Sequence, residues 1–196
     1  IFTILDDGIQ IHPDYSRRLP VVDADNHELW TSLGCALENL VIAGKEFGLT
    51  SSVHTISEPK EQAHIAITFT ASPNTYQDPL FPFIETRQST RNAYSGQAFA
   101  EQAIYELKTS FGFPETEVRF FSRDEMSVLK PFFIEGSDRQ YANKEFINEL
   151  AEWFRFSKND AKRTGDGLWS TVMGLPNTGR FLGSMVLKHL LSAKSE

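Results

Sequence analysis

The stretch Asp25-Asn26-His27-Glu28-Leu29-Trp30-Thr31-Ser32-Leu33-Gly34-Cys35-Ala36-Leu37-Glu38-Asn39-Leu40-Val41-Ile42-Ala43-Gly44-Lys45-Glu46-Phe47-Gly48 decides how this chain folds. Leu29, Leu33, Leu37, Leu40 and Phe47 recur at helical spacing, and Trp30, Val41 and Ile42 widen the apolar stripe. The spacing predicts a helix from about Asn26 to Phe47. Between Leu29 and Gly44 its only charged residue is Glu38, so the helix reads as buried on most sides. Asp25 stands three residues before Glu28, a capping-box spacing, and Gly48 is placed as the C-terminal cap. Gly34, Cys35 and Ala36 would let another backbone approach, and Cys35 is expected to be inert packing. Glu38 and Asn39 are polar among apolar neighbours, so they are expected to find hydrogen-bond partners, including backbone across an interface. This is the central helix of the fold, and a candidate interface element.

On the N-terminal side, Asp6-Asp7-Gly8 between Ile1–Leu5 and Ile9–Ile11 signals a hairpin. On the C-terminal side, Ser51–Ser57 and Ala63–Thr70 read as strands. Ile65, Ile67 and Phe69 alternate with smaller residues, so one face of the second strand is buried. Further on, Ser95–Phe111 and Asn143–Phe156 read as helices and Val118–Phe121 as a short strand. Ser122 and Glu125 form a capping box for another helix. Thr164–Gly167 reads as a turn, Leu175–Gly183 as loop and Met185–Leu191 as a short last helix. Helices outnumber strands without regular alternation, so the class is α+β with a small antiparallel sheet. A single domain over residues 1–196 is expected, with 1–78 and 79–196 as candidate halves.

Composition narrows the functions. A formal charge of −7 argues against a nucleic-acid footprint, which would be basic. No apolar run reaches the roughly 18–20 residues of a membrane span. With one cysteine, Cys35, no intrachain disulfide is possible, which suits a reducing, cytoplasmic compartment. Sixteen phenylalanines suit packing against a flat aromatic molecule or a broad interface.

Within this acidic chain, Ile84-Glu85-Thr86-Arg87-Gln88-Ser89-Thr90-Arg91 brings two arginines close around a serine. Guanidinium groups match phosphate oxygens in fork geometry, and a hydroxyl adds a further hydrogen bond. In an extended segment, Arg87, Ser89 and Arg91 share one side and could grip one phosphate. In a helix, Ser89 would point away from the two arginines, so the site requires helix to end at or just after Arg87. The plainer alternative is two surface arginines at a helix end, where cations suit the dipole. No other chemistry stands out. There is no Gly-rich nucleotide loop. His12, His27, His54, His64 and His189 are scattered. His54 and His64 could meet across a hairpin, but no nearby Cys or acidic ligand completes a metal site. Asp166 between two glycines is either ligand-facing or an ordinary turn residue. With no nucleophile-base-acid set, no catalytic residue is assigned, and any hard chemistry would belong to a cofactor.

Together, Ile84-x-x-Arg87-x-Ser89-x-Arg91, the helix Glu28–Leu40, the segment Asp14–Pro20 and the region Arg139–Asp166 with Trp153 resemble the nitroreductase superfamily of FMN-dependent oxidoreductases. They are most similar to its Acg-like branch, in which one chain carries two diverged halves. The resemblance implies an α+β sandwich with a buried central helix, forming a homodimer or an intramolecular pseudo-dimer. It implies FMN held through its phosphate by Arg87, Ser89 and Arg91. It also implies NAD(P)H as reductant and a nitroaromatic, quinone or similar small molecule as acceptor. The family's Asn-x-Gln-Pro-Trp-like segment near the flavin would lie before Ile1, and the branch extends past Glu196. The resemblance therefore also implies the middle of a longer protein, and leaves a flavin-sequestering protein without turnover as the alternative.

Overall fold

The stretch that dominates the sequence forms helix α1, His27–Glu46, in the computed structural model. The structure describes all residues except 58, 60, 61, 74–76, 90–93, 111–116, 174–178, 180 and 186–196, and the side chain of Met173. The chain divides into two compact units, Ile1–Ser89 and Thr90–Glu196.

In the first unit, strands β1 (Phe2–Ile4), β2 (Gly8–Ile11), β3 (Leu49–Ile56) and β4 (His64–Ala71) make one antiparallel sheet in the order β1-β2-β4-β3. The β1–β2 hairpin forms at the Asp-Gly signal, pairing Ile4 with Ile9, and the Leu5 N–H donates to the Gly8 carbonyl at 2.8 Å. β4 is buried at Ile65 and Ile67, as its alternation predicts. Ile11 of β2 and Ile65 of β4 lie opposite one another in register and pack with Leu33 of α1. Leu29, Trp30, Leu37 and Leu40 close around that cluster.

Burial of α1 is one-sided, which corrects the expectation of a helix buried on most sides. Only Leu33, Ile42 and Gly44 are fully buried. Cys35, Glu38 and Asn39 are exposed. A single sheet covers one stripe of a helix and leaves the rest to solvent. Close approach falls at Gly44 instead of Gly34. A Cβ on Gly44 would lie 2.8 Å from the Phe69 ring, whereas a Cβ on Gly34 would meet nothing within 4 Å.

The helix start also differs from expectation. Asn26 occupies the cap position in the left-handed region, φ 61°, without a side-chain cap bond. The cap comes from Asp23, which is buried and accepts from the N–H groups of Glu28 at 3.0 Å and Leu29 at 2.9 Å. A carboxylate there meets free N–H groups and the positive end of the helix dipole. At the other end Gly48 takes φ 71°, and its N–H donates to Lys45 at 3.0 Å.

The second unit contains α2 (Glu101–Ser110), α3 (Arg123–Ala142), α4 (Lys144–Trp153), β5 (Phe154–Arg155), α5 (Lys158–Thr164) and β6 (Leu168–Trp169). Ser122 and Glu125 form the expected capping box of α3. Residues 117–121 are not a strand, and α2 begins six residues later than the pattern suggested. The helix predicted to reach Phe156 stops at Trp153, and β5 pairs in parallel with β6. Phe154 and Phe156 are buried there with Leu150, Ala151 and Leu168. Most of the last predicted helix, Met185–Leu191, lies outside the described residues. The part described, Met185, belongs to a helical stretch at 181–185. No helix among the described residues is long and apolar enough to cross a membrane.

The cap predicts the cost of its removal. Asp23→Ala should destabilise the first unit by about 0.5–2 kcal/mol, the usual cost of losing an N-terminal cap. Urea unfolding checks this, with Asp25→Ala as the comparison expected to cost less.

Candidate functional site

The segment carrying Arg87 is fastened to the C-terminal end of α1. Buried Asp78 donates its N–H to Glu46 Oε2 at 3.2 Å and accepts the Leu80 N–H at 3.0 Å. Lys45 Nζ lies 3.7 Å from the same carboxylate. Phe81 meets Phe47 edge-on, ring centres 5.9 Å apart. A 3-10 turn, Phe81–Phe83, follows, and the Phe83 carbonyl accepts from the N–H groups of Thr86 at 3.2 Å and Arg87 at 2.9 Å. Beyond this the backbone of Arg87–Ser89 leaves regular structure. The 3-10 turn thus ends at Phe83 and turns continue to Thr86, so no helix runs through Arg87–Ser89. Arg87 and Ser89 are exposed, and the Arg87 guanidinium has no ion pair among the described residues. Arg91 lies outside the described residues.

Two hollows lie along α1. The larger, about 550 Å³, is lined by Phe2, Leu40, Ala43, Phe81, Pro82 and Ile84, with Asn39 and Glu85 as polar groups. The smaller, about 210 Å³, is lined by Phe2, Ile11, Leu29, Leu33, His12 and Ser32, among others. Both also touch Ala36, so they run end to end past Phe2. On α1 they use positions 29, 32, 33, 36, 39, 40 and 43, a single helical stripe. Small side chains at Ser32, Ala36 and Ala43 leave the space that leucines would fill. The larger hollow has the size and mainly apolar lining of a small-molecule site. It ends at Glu85, so the Cα of Arg87 is within about 7 Å of it along the chain.

Other candidates resolve differently. His54 pairs in register with Ala66, not with His64, and its Nε2 lies 3.3 Å from Ser52 Oγ. His64 instead stacks on His12, ring centres 5.0 Å apart. Asp166 accepts from Arg155 Nη2 at 2.7 Å and Nε at 3.1 Å, while Arg155 Nη1 donates to the Glu152 carbonyl at 2.8 Å. Its role is to hold β5 against the turn before β6. Helix α5 and β6 escaped the sequence reading, although Ser157 followed three residues later by Asp160 is a cap spacing. In the structure Ser157 Oγ accepts the Asp160 N–H. Among the described residues no three His, Cys, Asp or Glu side chains gather as a metal site. Comparison of the chain with known protein families, characterised proteins and solved structures gave no match.

The His12 imidazole is held below its usual pKa, first by burial and second by the His64 ring. The folded chain therefore binds a proton here less readily than the unfolded chain, and folding stability rises with pH across this titration. Stability should be complete above about pH 6.5 and fall as the pH drops below it. The thermal midpoint of His12→Gln, measured from about pH 7.5 to 5.5, should fall less than that of the parent chain.

Proposed function

We propose that this chain is an FMN-binding oxidoreductase of nitroreductase type, with Arg87, Ser89 and Arg91 on the flavin phosphate and the larger α1 hollow taking the ring. The observation that carries the reading is the hollow itself: an apolar slot walled by Phe2, Leu40, Phe81 and Pro82, ending two residues before a guanidinium that has no ion pair among the described residues. A flat aromatic ring suits the apolar walls, Asn39 can hydrogen-bond its polar edge, and Arg87 lies within reach of a phosphate at the slot's end. When bound, FMN would relay a hydride from NAD(P)H to a nitroaromatic, quinone or similar acceptor. The chain's own residues bind and orient it, and no side chain is assigned as acid or base. A nitroreductase-like sandwich, assembled as a homodimer or an intramolecular pseudo-dimer, belongs to the same proposal. The exposed Val128, Phe132 and Phe133 of α3 support it, since they present apolar surface that an assembly would cover.

Flavin fluorescence quenching on titration with the chain should report FMN binding. Arg87→Ala and Arg91→Ala should each weaken it by roughly 1.5–3 kcal/mol, about tenfold or more, as expected for a lost charge-assisted hydrogen bond. Binding unchanged by both substitutions would discard the phosphate assignment.

Ala36→Phe fills the shared wall of the two hollows from the helix side. It should weaken FMN binding while the far-ultraviolet circular dichroism stays that of the parent. Flavin bound without NAD(P)H oxidation in the presence of a quinone would replace the oxidoreductase by a sequestering protein.

A further inference from the structure

A pair of histidines occupies the positions that alternate with the buried isoleucines of the sheet. Ile11 and Ile65 pack on Leu33, His64 beside Ile65 alternates to the other face, and His12, just past the end of β2, stacks on it and also borders the smaller hollow. The β2–β4 register pairs Ile11 with Ile65, and one step further it sets His12 opposite His64. The backbone N–H and carbonyl of His12 both bond to Ile1, at 2.8 and 2.9 Å, and therefore point toward β1. His12 and His64 are thus a non-hydrogen-bonded cross-strand pair, the kind that brings side chains closest. Their rings stack with centres 5.0 Å apart and planes inclined by 29°.

The ring nitrogens are available for coordination. His64 Nδ1 lies 2.7 Å from the Gln62 carbonyl, which only accepts, so Nδ1 carries the proton and Nε2 keeps its lone pair. An imidazole oriented by a backbone carbonyl in this way is the usual arrangement of a metal-bound histidine. The His12 ring makes no hydrogen bond among the described residues. His54 shares this face on β3, opposite Ala66 and therefore diagonal to His64.

From this geometry we infer that His12 and His64 form a two-histidine site for a borderline divalent transition metal such as Ni²⁺, Cu²⁺ or Zn²⁺. Imidazole nitrogens favour these ions over Mg²⁺ or Ca²⁺, which take oxygen. Water would fill the remaining positions. The cross-strand pairing sets the spacing: His64 stays on the Gln62 carbonyl, and the His12 ring, which has no hydrogen bond to lose among the described residues, turns to bring one of its nitrogens toward His64 Nε2. The site rests on the sheet alone and is independent of flavin binding.

Calorimetric titration of the untagged chain with NiCl₂ at neutral pH tests it. One ion should bind per chain and raise the thermal midpoint, while MgCl₂ should do neither. His64→Gln and His12→Gln should each weaken Ni²⁺ binding roughly 10²-fold, since the second imidazole acts as an intramolecular ligand. His12→Phe keeps a stacked ring and removes the nitrogen, so it should fold and lose the metal even if His12→Gln does not fold. His54→Gln should leave most of the affinity. Absence of Ni²⁺ binding in the parent, or equal affinity in His12→Phe, would overturn the assignment.

Discussion

Packing of α1 across the two middle strands is the constraint on which the first unit depends. Leu33 sits on Ile11 and Ile65, and burying such side chains stabilises by about 1.5–3 kcal/mol each. That contact orients the whole helix, and each end then takes on a fixed task. At the start, buried Asp23 closes the free N–H groups. At the end, the missing side chain of Gly44 lets Phe69 approach, and Lys45 and Glu46 hold Asp78. The segment leading to Arg87 is therefore aimed by the far end of the same helix.

The hollows beside α1 follow from the same arrangement. A helix stripe of uniformly large residues would fill its contact with β1 and the Phe81 turn. Here Ser32, Ala36 and Ala43 interrupt the leucines, and the space stays open at Phe2. The alternate sheet positions have another chemistry, with Gln10, His64 and Ser52 in place of the isoleucines.

In the second unit the organising contact is polar. Arg155 leaves β5 to meet Asp166, Thr164 and two backbone carbonyls, with its guanidinium 5.7 Å from the Trp153 ring centre. Phe154 and Phe156, on either side of it, enter the small core. A carboxylate between glycines reads chiefly as an ordinary turn residue, with a ligand-facing role as the alternative. Its partner, eleven residues earlier, makes it structural.

Residue spacing by itself determined the elements whose signals are local. The α1 stripe, the Asp-Gly hairpin, the alternation of β4 and the capping box of α3 were all legible within a few residues. Tertiary structure alone decided which side of α1 is buried, because periodicity reports where apolar residues lie and not how many partners cover them. It also decided that Asp23 caps α1 in place of Asp25, since the left-handed turn at Asn26 redirects the chain. The register of β2 on β4 joined His12 to His64 and parted His64 from His54. That register is fixed by isoleucines buried against a helix between the strands in sequence, a long-range packing that no local pattern encodes.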